Sequence, residues 1–202
     1  MNTMKAQILK RIEDLASGKI FTAKDFLDIA SRGTTDMVLS AMVREGRLRR
    51  IKRGLFDVPR VRPALGGVLS PDIDQTAQAI ARRHRWNIVP AGTMAENLLG
   101  LSTQVPAKIV YLSDGPNKSI SVGRSVIHFK HARPQTMSDT RGKPMLVIQA
   151  LRSIGKDHVD GKLVEKIRRQ LSDDEKRQLT EASRFGVDWI FDVVKKIVKD
   201  AR

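Results

Sequence analysis

Five of the seven residues from Arg47 to Arg53 are cations: Arg47, Arg49, Arg50, Lys52 and Arg53, with Gly54 directly after them. Guanidinium and ammonium groups at this density suit a polyanion, and a glycine lets the main chain turn tightly beside a phosphate. Just upstream, Val38, Leu39 and Met42 define the apolar side of a helix, which puts Thr34, Thr35, Asp36, Ser40 and Arg44 on its outer side, with Arg32 just before it. Short hydroxyls donate to phosphates or base edges, and Arg32 or Arg44 could read guanine bidentately. Asp36 either accepts from cytosine or offsets the dipole at the helix start. A cation run alone also describes a solvated face. Position is what separates the two readings: the cations gather on the hairpin and at the helix ends, whereas Glu13, Asp14, Asp25 and Asp28 fall on the two predicted helices before it.

The whole chain shares this bias. Its 202 residues carry 37 Lys+Arg against 22 Asp+Glu, a formal +15, which favours nucleic acid or an anionic membrane surface as partner. No stretch approaches the roughly 20 apolar residues of a membrane-spanning helix, and the first residues lack the apolar core of a secretory signal, so a cytoplasmic protein is expected. Having no cysteine removes disulfides, thiol catalysis and thiolate metal sites. His128 and His131 stand three apart on a predicted strand and so point to opposite faces, a poor chelate. Asp72 with Asp74, and Asp173 with Asp174 and Glu175, would serve a nuclease, yet both groups open helices, where acids are favoured by the dipole alone. Phosphate-cradling glycine loops and hydrolase signatures do not occur. The expectation is a protein without enzymatic activity, metal or cofactor. The cluster Arg82-Arg83-His84-Arg85 extends a nucleic-acid footprint, binds tRNA or a nucleotide, or is simply a basic helix terminus favoured by the dipole.

The elements that must position these groups follow from periodicity. Ile8, Leu9, Ile12, Leu15 and Ala16 predict a first helix over residues 4–16. Thr22 to Asp25 resembles a capping box, with Phe21 and Phe26 as a hydrophobic staple, opening a short second helix to about Ala30. A third helix ends at Gly46, and two strands turn at Gly54, with a bulge expected because Leu48 and Ile51 break strict alternation. Helix, strand, helix, helix and hairpin is the order of a winged helix-turn-helix, assigned to residues 1–60, in which the third helix enters the major groove. Residues 61–70 read as a linker. Residues 71–202 read as an α+β domain: a helix starting at Ser70-Pro71, a capping box at Thr93 to Glu96, an antiparallel meander of three strands between Lys108 and Lys130, and a helical C-terminus. In its last helix Trp189, Ile190, Val193, Val194 and Ile197 form a stripe that reads as core or domain-packing surface rather than a cofactor site, and as the place for a dimer seam.

Across nearly its whole length the chain resembles the AbiEi-type antitoxins of type IV abortive-infection toxin-antitoxin systems. The likeness runs through Phe21-Thr22, Ser31-Arg32-Gly33, Val38-Leu39-Ser40, Val43-Arg44-Glu45-Gly46, Leu48-Arg49-Arg50-Ile51 and Arg53-Gly54-Leu55-Phe56. It continues through Pro90-Ala91-Gly92, residues 97–106, residues 110–116 and the Trp189 helix. The resemblance implies a cytoplasmic, nucleoid-associated antitoxin and autorepressor. Its N-terminal domain would bind double-stranded operator DNA through Arg32, Thr34, Thr35, Ser40 and Arg44 on the recognition helix and Arg47, Arg49, Arg50, Lys52 and Arg53 on the wing. Its C-terminal domain would antagonise a nucleotidyltransferase toxin, by direct contact or by competition for a shared target. The chain departs from the family at Phe56, where tyrosine is common, and at Ala41, where arginine is often found. The alternative is a stand-alone winged-helix regulator with a ligand- or partner-sensing C-terminal domain.

Overall fold

A computed structural model of the chain describes residues 3–15, 17–132 and 142–199. The fold is α+β, with eight α-helices and three small sheets among the described residues. Two compact units divide it: Met1–Trp86 together with Ile120–Val126, and Asn87–Ser119 together with Ile127–Arg202.

In the first unit, α1 (Met4–Glu13) leads to strand β1 (Ile20–Phe21), a 3-10 turn (Ala23–Phe26), α2 (Arg32–Arg44) and strands β2 (Arg49–Lys52) and β3 (Leu55–Asp57). Ala16, expected to extend the first helix, lies outside the described residues. The three strands form one sheet in the order β1-β3-β2, each pair antiparallel. Thr22 does close a capping box: Asp25 Oδ2 accepts from the Thr22 backbone N–H at 2.7 Å, and Thr22 Oγ1 accepts from Lys24 N–H at 3.2 Å. Phe21 and Phe26 meet edge to face at 5.5 Å between centroids, completing the staple. The expected second helix is nevertheless only this 3-10 turn. Beyond it stand Asp28 and Ile29, both weak helix formers, and the Asp28 carboxylate is held by Arg11 at 2.8 Å. Ile8, Ile12, Phe21, Phe26, Val38, Leu39, Met42, Leu48 and Phe56 pack as one apolar core. The expected bulge is present: pairing runs Arg49 to Asp57 and Arg50 to Phe56, then shifts so that Lys52 faces Leu55.

The boundary between units differs from the expected one. Residues 61–70 are structured, with β4 (Val61–Arg62) and β5 (Gly67–Val68) paired across a 3-10 turn (Pro63–Leu65). Helix α3 (Ile73–His84) belongs to the first unit, and its cap is Asp72, which accepts from Gln75 N–H at 2.9 Å, two residues later than Ser70. The physical reason is that α3 buries Ala77, Ile80 and Ala81 and is tied to the first unit by polar contacts. Arg82 Nη2 donates to the Ile20 carbonyl at 3.4 Å, and Lys24 Nζ donates to the Arg83 carbonyl at 3.3 Å.

After α3 the chain runs through β6 (Ile88–Ala91), α4 (Thr93–Leu98), β7 (Ile109–Ser113), β8 (Lys118–Val122) and β9 (Ser125–His131), then α5 (Lys143–Ile154), α6 (Gly161–Arg168), α7 (Asp173–Ser183) and α8 (Asp188–Val198); all of this belongs to the second unit except residues 120–126 of β8, its turn and the start of β9. These four strands are ordered β6-β7-β9-β8, antiparallel between β6 and β7 but parallel between β7 and β9. The antiparallel meander is therefore corrected: β7 and β8 are not neighbours, because the loop between them passes over the end of β9. That loop is pinned there by Asn117 Oδ1, which accepts from His131 N–H at 2.7 Å, and by the Gly115 carbonyl, 3.0 Å from His131 Nδ1. The capping box at Ser172 and Glu175 forms. The one expected at Thr93 does not: Gly92 caps α4, and Glu96 instead accepts from Ser153 Oγ at 2.5 Å. The stripe on α8 is core, with Ile190, Val193, Val194 and Ile197 buried beside Met145, Leu151, Ile167 and Leu179, and Trp189 packed against them. Among the described residues no helix is long and apolar enough to cross a membrane.

Candidate nucleic-acid interface

Helix α2 and the β2–β3 hairpin carry nine of the ten residues singled out for nucleic-acid contact, and the tenth, Arg47, stands in the turn between them. Ser31 caps α2, its Oγ accepting from Thr34 N–H at 3.3 Å and lying 3.0 Å from Thr34 Oγ1. Spacing on α2 then sorts the side chains. Thr35 shares the buried face with Val38, Leu39 and Met42, is 0% exposed, and donates its hydroxyl to the Ser31 carbonyl at 3.0 Å. Thr35 is thus corrected from a surface contact to a core residue, since position 35 lies one turn before Val38 and Leu39.

Gly33, Met37, Ser40 and Arg44 line the opposite face, with Arg32 and Asp36 at its edge. Arg32 Nε pairs with Asp36 Oδ2 at 2.8 Å, one turn apart, so the acid on this surface is neutralised. Thr34 and Ser40 are half-buried, and Ser40 Oγ accepts from Arg50 Nη2 at 3.4 Å. The Arg50 guanidinium also lies 5.5 Å from the centroid of the Phe56 ring. Phe56 is buried beneath it and supports the arginine through its π-face.

The five cations from Arg47 to Arg53 separate into two groups. Arg47 is exposed but paired with Glu13 at 2.9 Å and Glu45 at 3.9 Å. Arg49 is corrected outright: Nε and Nη2 grip the two oxygens of Asp57 at 3.0 and 2.5 Å, and Nη1 donates to the Leu69 carbonyl at 2.7 Å. Asp57 is 1% exposed, so its charge requires a cation, and Arg49 sits directly across the strands from it. Arg50, Lys52 and Arg53 are exposed and, like Arg44 at the end of α2, form no ion pair among the described residues. Asp36 and Asp57 each have an arginine of their own and Glu13 and Glu45 share Arg47, which leaves Arg44, Arg50, Lys52 and Arg53 as the cations of α2 and the hairpin without an acidic partner among the described residues.

Sequence reasoning placed Arg83 in another domain, and the fold brings it here. Its Nη1 donates to the Arg53 carbonyl at 2.8 Å, fastening the end of α3 to the hairpin turn. Gly54 makes room for this contact, because a Cβ there would stand 3.1 Å from Arg83 Nη1, and its φ of +74° is one that glycine adopts freely. Arg85 follows in the left-handed region at φ 60° and is exposed. The cluster Arg82-Arg83-His84-Arg85 was visible in the sequence, but no local spacing ties it to a turn about thirty residues earlier. Elsewhere in the first unit, the Arg11 hydrogen bond holds the Asp28 carboxyl below the usual range and raises the Arg11 guanidinium in turn.

The residues considered for catalysis have structural occupations. Asp72 caps α3; Asp173 and Asp174 pair with Lys176 and Arg177, both at 3.1 Å; Glu175 accepts from the Ser172 backbone at 2.9 Å. His128 Nδ1 is bonded to Ser119 Oγ at 2.9 Å, while His131 turns to Gly115, so the two rings serve different partners.

The chain is similar to the RV2827C protein from Mycobacterium tuberculosis, a solved structure, with 14% identity and a TM-score of 0.44 over 96% of this chain and 76% of that one. No curated protein matches it significantly. A family model matches residues 7–179, and the chain belongs to that family, DUF6088, a family of unknown function.

Proposed function

We propose that the first unit is a winged helix-turn-helix that binds double-stranded DNA, with α2 in the major groove and the β2–β3 turn against the flanking backbone. The observation carrying this reading is that Arg44, Arg50, Lys52 and Arg53 stand exposed on one helix and its adjoining hairpin with no ion pair among the described residues, while the nearby acids pair elsewhere, Asp36 with Arg32, Asp57 with Arg49, and Glu13 and Glu45 with Arg47. Element order and the β1-β3-β2 sheet support it, since this arrangement frees the outer face of α2 and the hairpin turn for a groove and its edge. Arg83 and Arg85 would lengthen the phosphate footprint at the turn.

On this reading the protein is a transcriptional autorepressor acting in the cytoplasm on the nucleoid, and its second unit serves as an antitoxin against a nucleotidyltransferase toxin. The antitoxin role rests on the likeness of residues 90–116 and the Trp189 helix to AbiEi-type antitoxins. The test has two steps. Purified protein is titrated against the DNA upstream of its own gene and against a scrambled duplex at two salt concentrations; tighter binding to the first supports repression, and equal binding to both refutes it. Co-expression with a nucleotidyltransferase toxin then separates the roles. Rescue of growth supports the antitoxin, and lack of rescue with DNA binding intact leaves a stand-alone regulator.

A further inference from the structure

Met37 is 69% exposed on the outer face of α2. A methionine in water on a strongly basic surface gains nothing from burial within its own unit, and a merely solvated helix face would be served better by a polar side chain. Its neighbours make it project. One turn earlier stands Gly33, where an added Cβ would meet nothing within 4 Å, and one turn later stands Ala41, equally short. Ser40 beside it is drawn toward Arg50, and Asp36 is tied to Arg32. Along the outer face this leaves an apolar tip at Met37 and a cation at Arg44, with Arg50, Lys52 and Arg53 of the hairpin completing the charge.

We infer that Met37 is a base-reading residue that packs against the 5-methyl group of thymine in the major groove, an assignment that rests on the DNA-binding reading above. Thymine is the one base that presents a methyl group there, so an apolar side chain among phosphate-seeking cations discriminates it from the other three. Methionine suits the task because its unbranched thioether adjusts its torsions to reach a contact that rigid side chains would miss.

The test uses the full chain and a duplex it binds specifically, in parallel with the same duplex carrying uracil at every thymine, a change that removes only the methyl groups. Wild-type protein should bind the uracil duplex about fourfold more weakly, the weight of one buried methyl-sized group. Met37→Ala should lose a similar factor on the thymine duplex and show no preference between the two, whereas Met37→Leu should keep the preference. Equal binding of both duplexes by wild type overturns the inference while leaving DNA binding standing, as does a Met37→Ala variant that still prefers thymine. Failure to bind any duplex overturns the DNA-binding reading and this inference together.

Discussion

Replacing Arg49 with methionine keeps the aliphatic stem and deletes a guanidinium that serves both oxygens of Asp57 and the Leu69 carbonyl. Asp57 is 1% exposed, so its carboxylate would remain buried without a counter-charge. Breaking such a pair from one side costs about 3 to 5 kcal/mol. Arg49 is 26% exposed, so water reaches its side of the pair, and the expected loss lies at the lower end, about 3 kcal/mol. A urea denaturation series on R49M, D57N and the double variant measures it. Both single variants should be destabilised, and the double should cost less than their sum by on the order of 2 kcal/mol, because it leaves no unmatched buried charge. Duplex affinity of folded R49M should fall with salt as steeply as that of wild type. An R49M protein within about 0.5 kcal/mol of wild type, whose salt slope is shallower by about 0.9, would show that Arg49 faces phosphate and would refute the assignment.

Two further outcomes are expected. Gly54→Ala forces a side chain into the left-handed region and toward Arg83, so denaturation should show a loss of about 1 to 2 kcal/mol; an unchanged midpoint would contradict the described turn. In the second unit, the Arg169 hydrogen bond, aided by Arg168, holds the Glu165 carboxyl below its usual range. The folded state therefore binds that proton less readily than the unfolded chain. The contribution is complete above the unfolded value of about 4.3 and fades as pH falls through the lowered one. The melting temperature of Glu165→Gln should accordingly lie below that of wild type near neutrality and converge on it in acid; a gap that widens in acid would reverse the sign.

What the sequence made legible was local. The Phe21–Phe26 staple, the cap at Thr22 and the bulge after Arg50 depend on residues within a turn or two of one another, and each is present. Pairings between distant residues were not legible. That Arg49 belongs to Asp57 is fixed by strand pairing, and that Arg83 belongs to the Arg53 turn is fixed by where α3 packs. Alternation of apolar residues in β7, β8 and β9 sets which face is buried but not which strand is whose neighbour, so the parallel β7–β9 pair was invisible to it. Thr35 failed for a narrower reason: a threonine whose hydroxyl bonds back to the preceding turn is as acceptable in a core as on a surface. Met37 went unnoticed because an apolar residue in a helix reads as core until its exposure is known.

The central claim is that Arg50, Lys52 and Arg53 hold phosphates while Arg49 holds the fold. The most direct measurement is the slope of log affinity against log salt concentration for a duplex, in wild type and in the triple variant R50A/K52A/R53A. Stability should fall by no more than about 1 kcal/mol, since Arg50 gives up its contacts with Phe56 and Ser40, and the slope should be shallower by about 2.7, from about 0.9 for each phosphate that the three side chains neutralise in wild type. An unchanged slope in a fully folded variant would mean that the hairpin turn does not touch DNA.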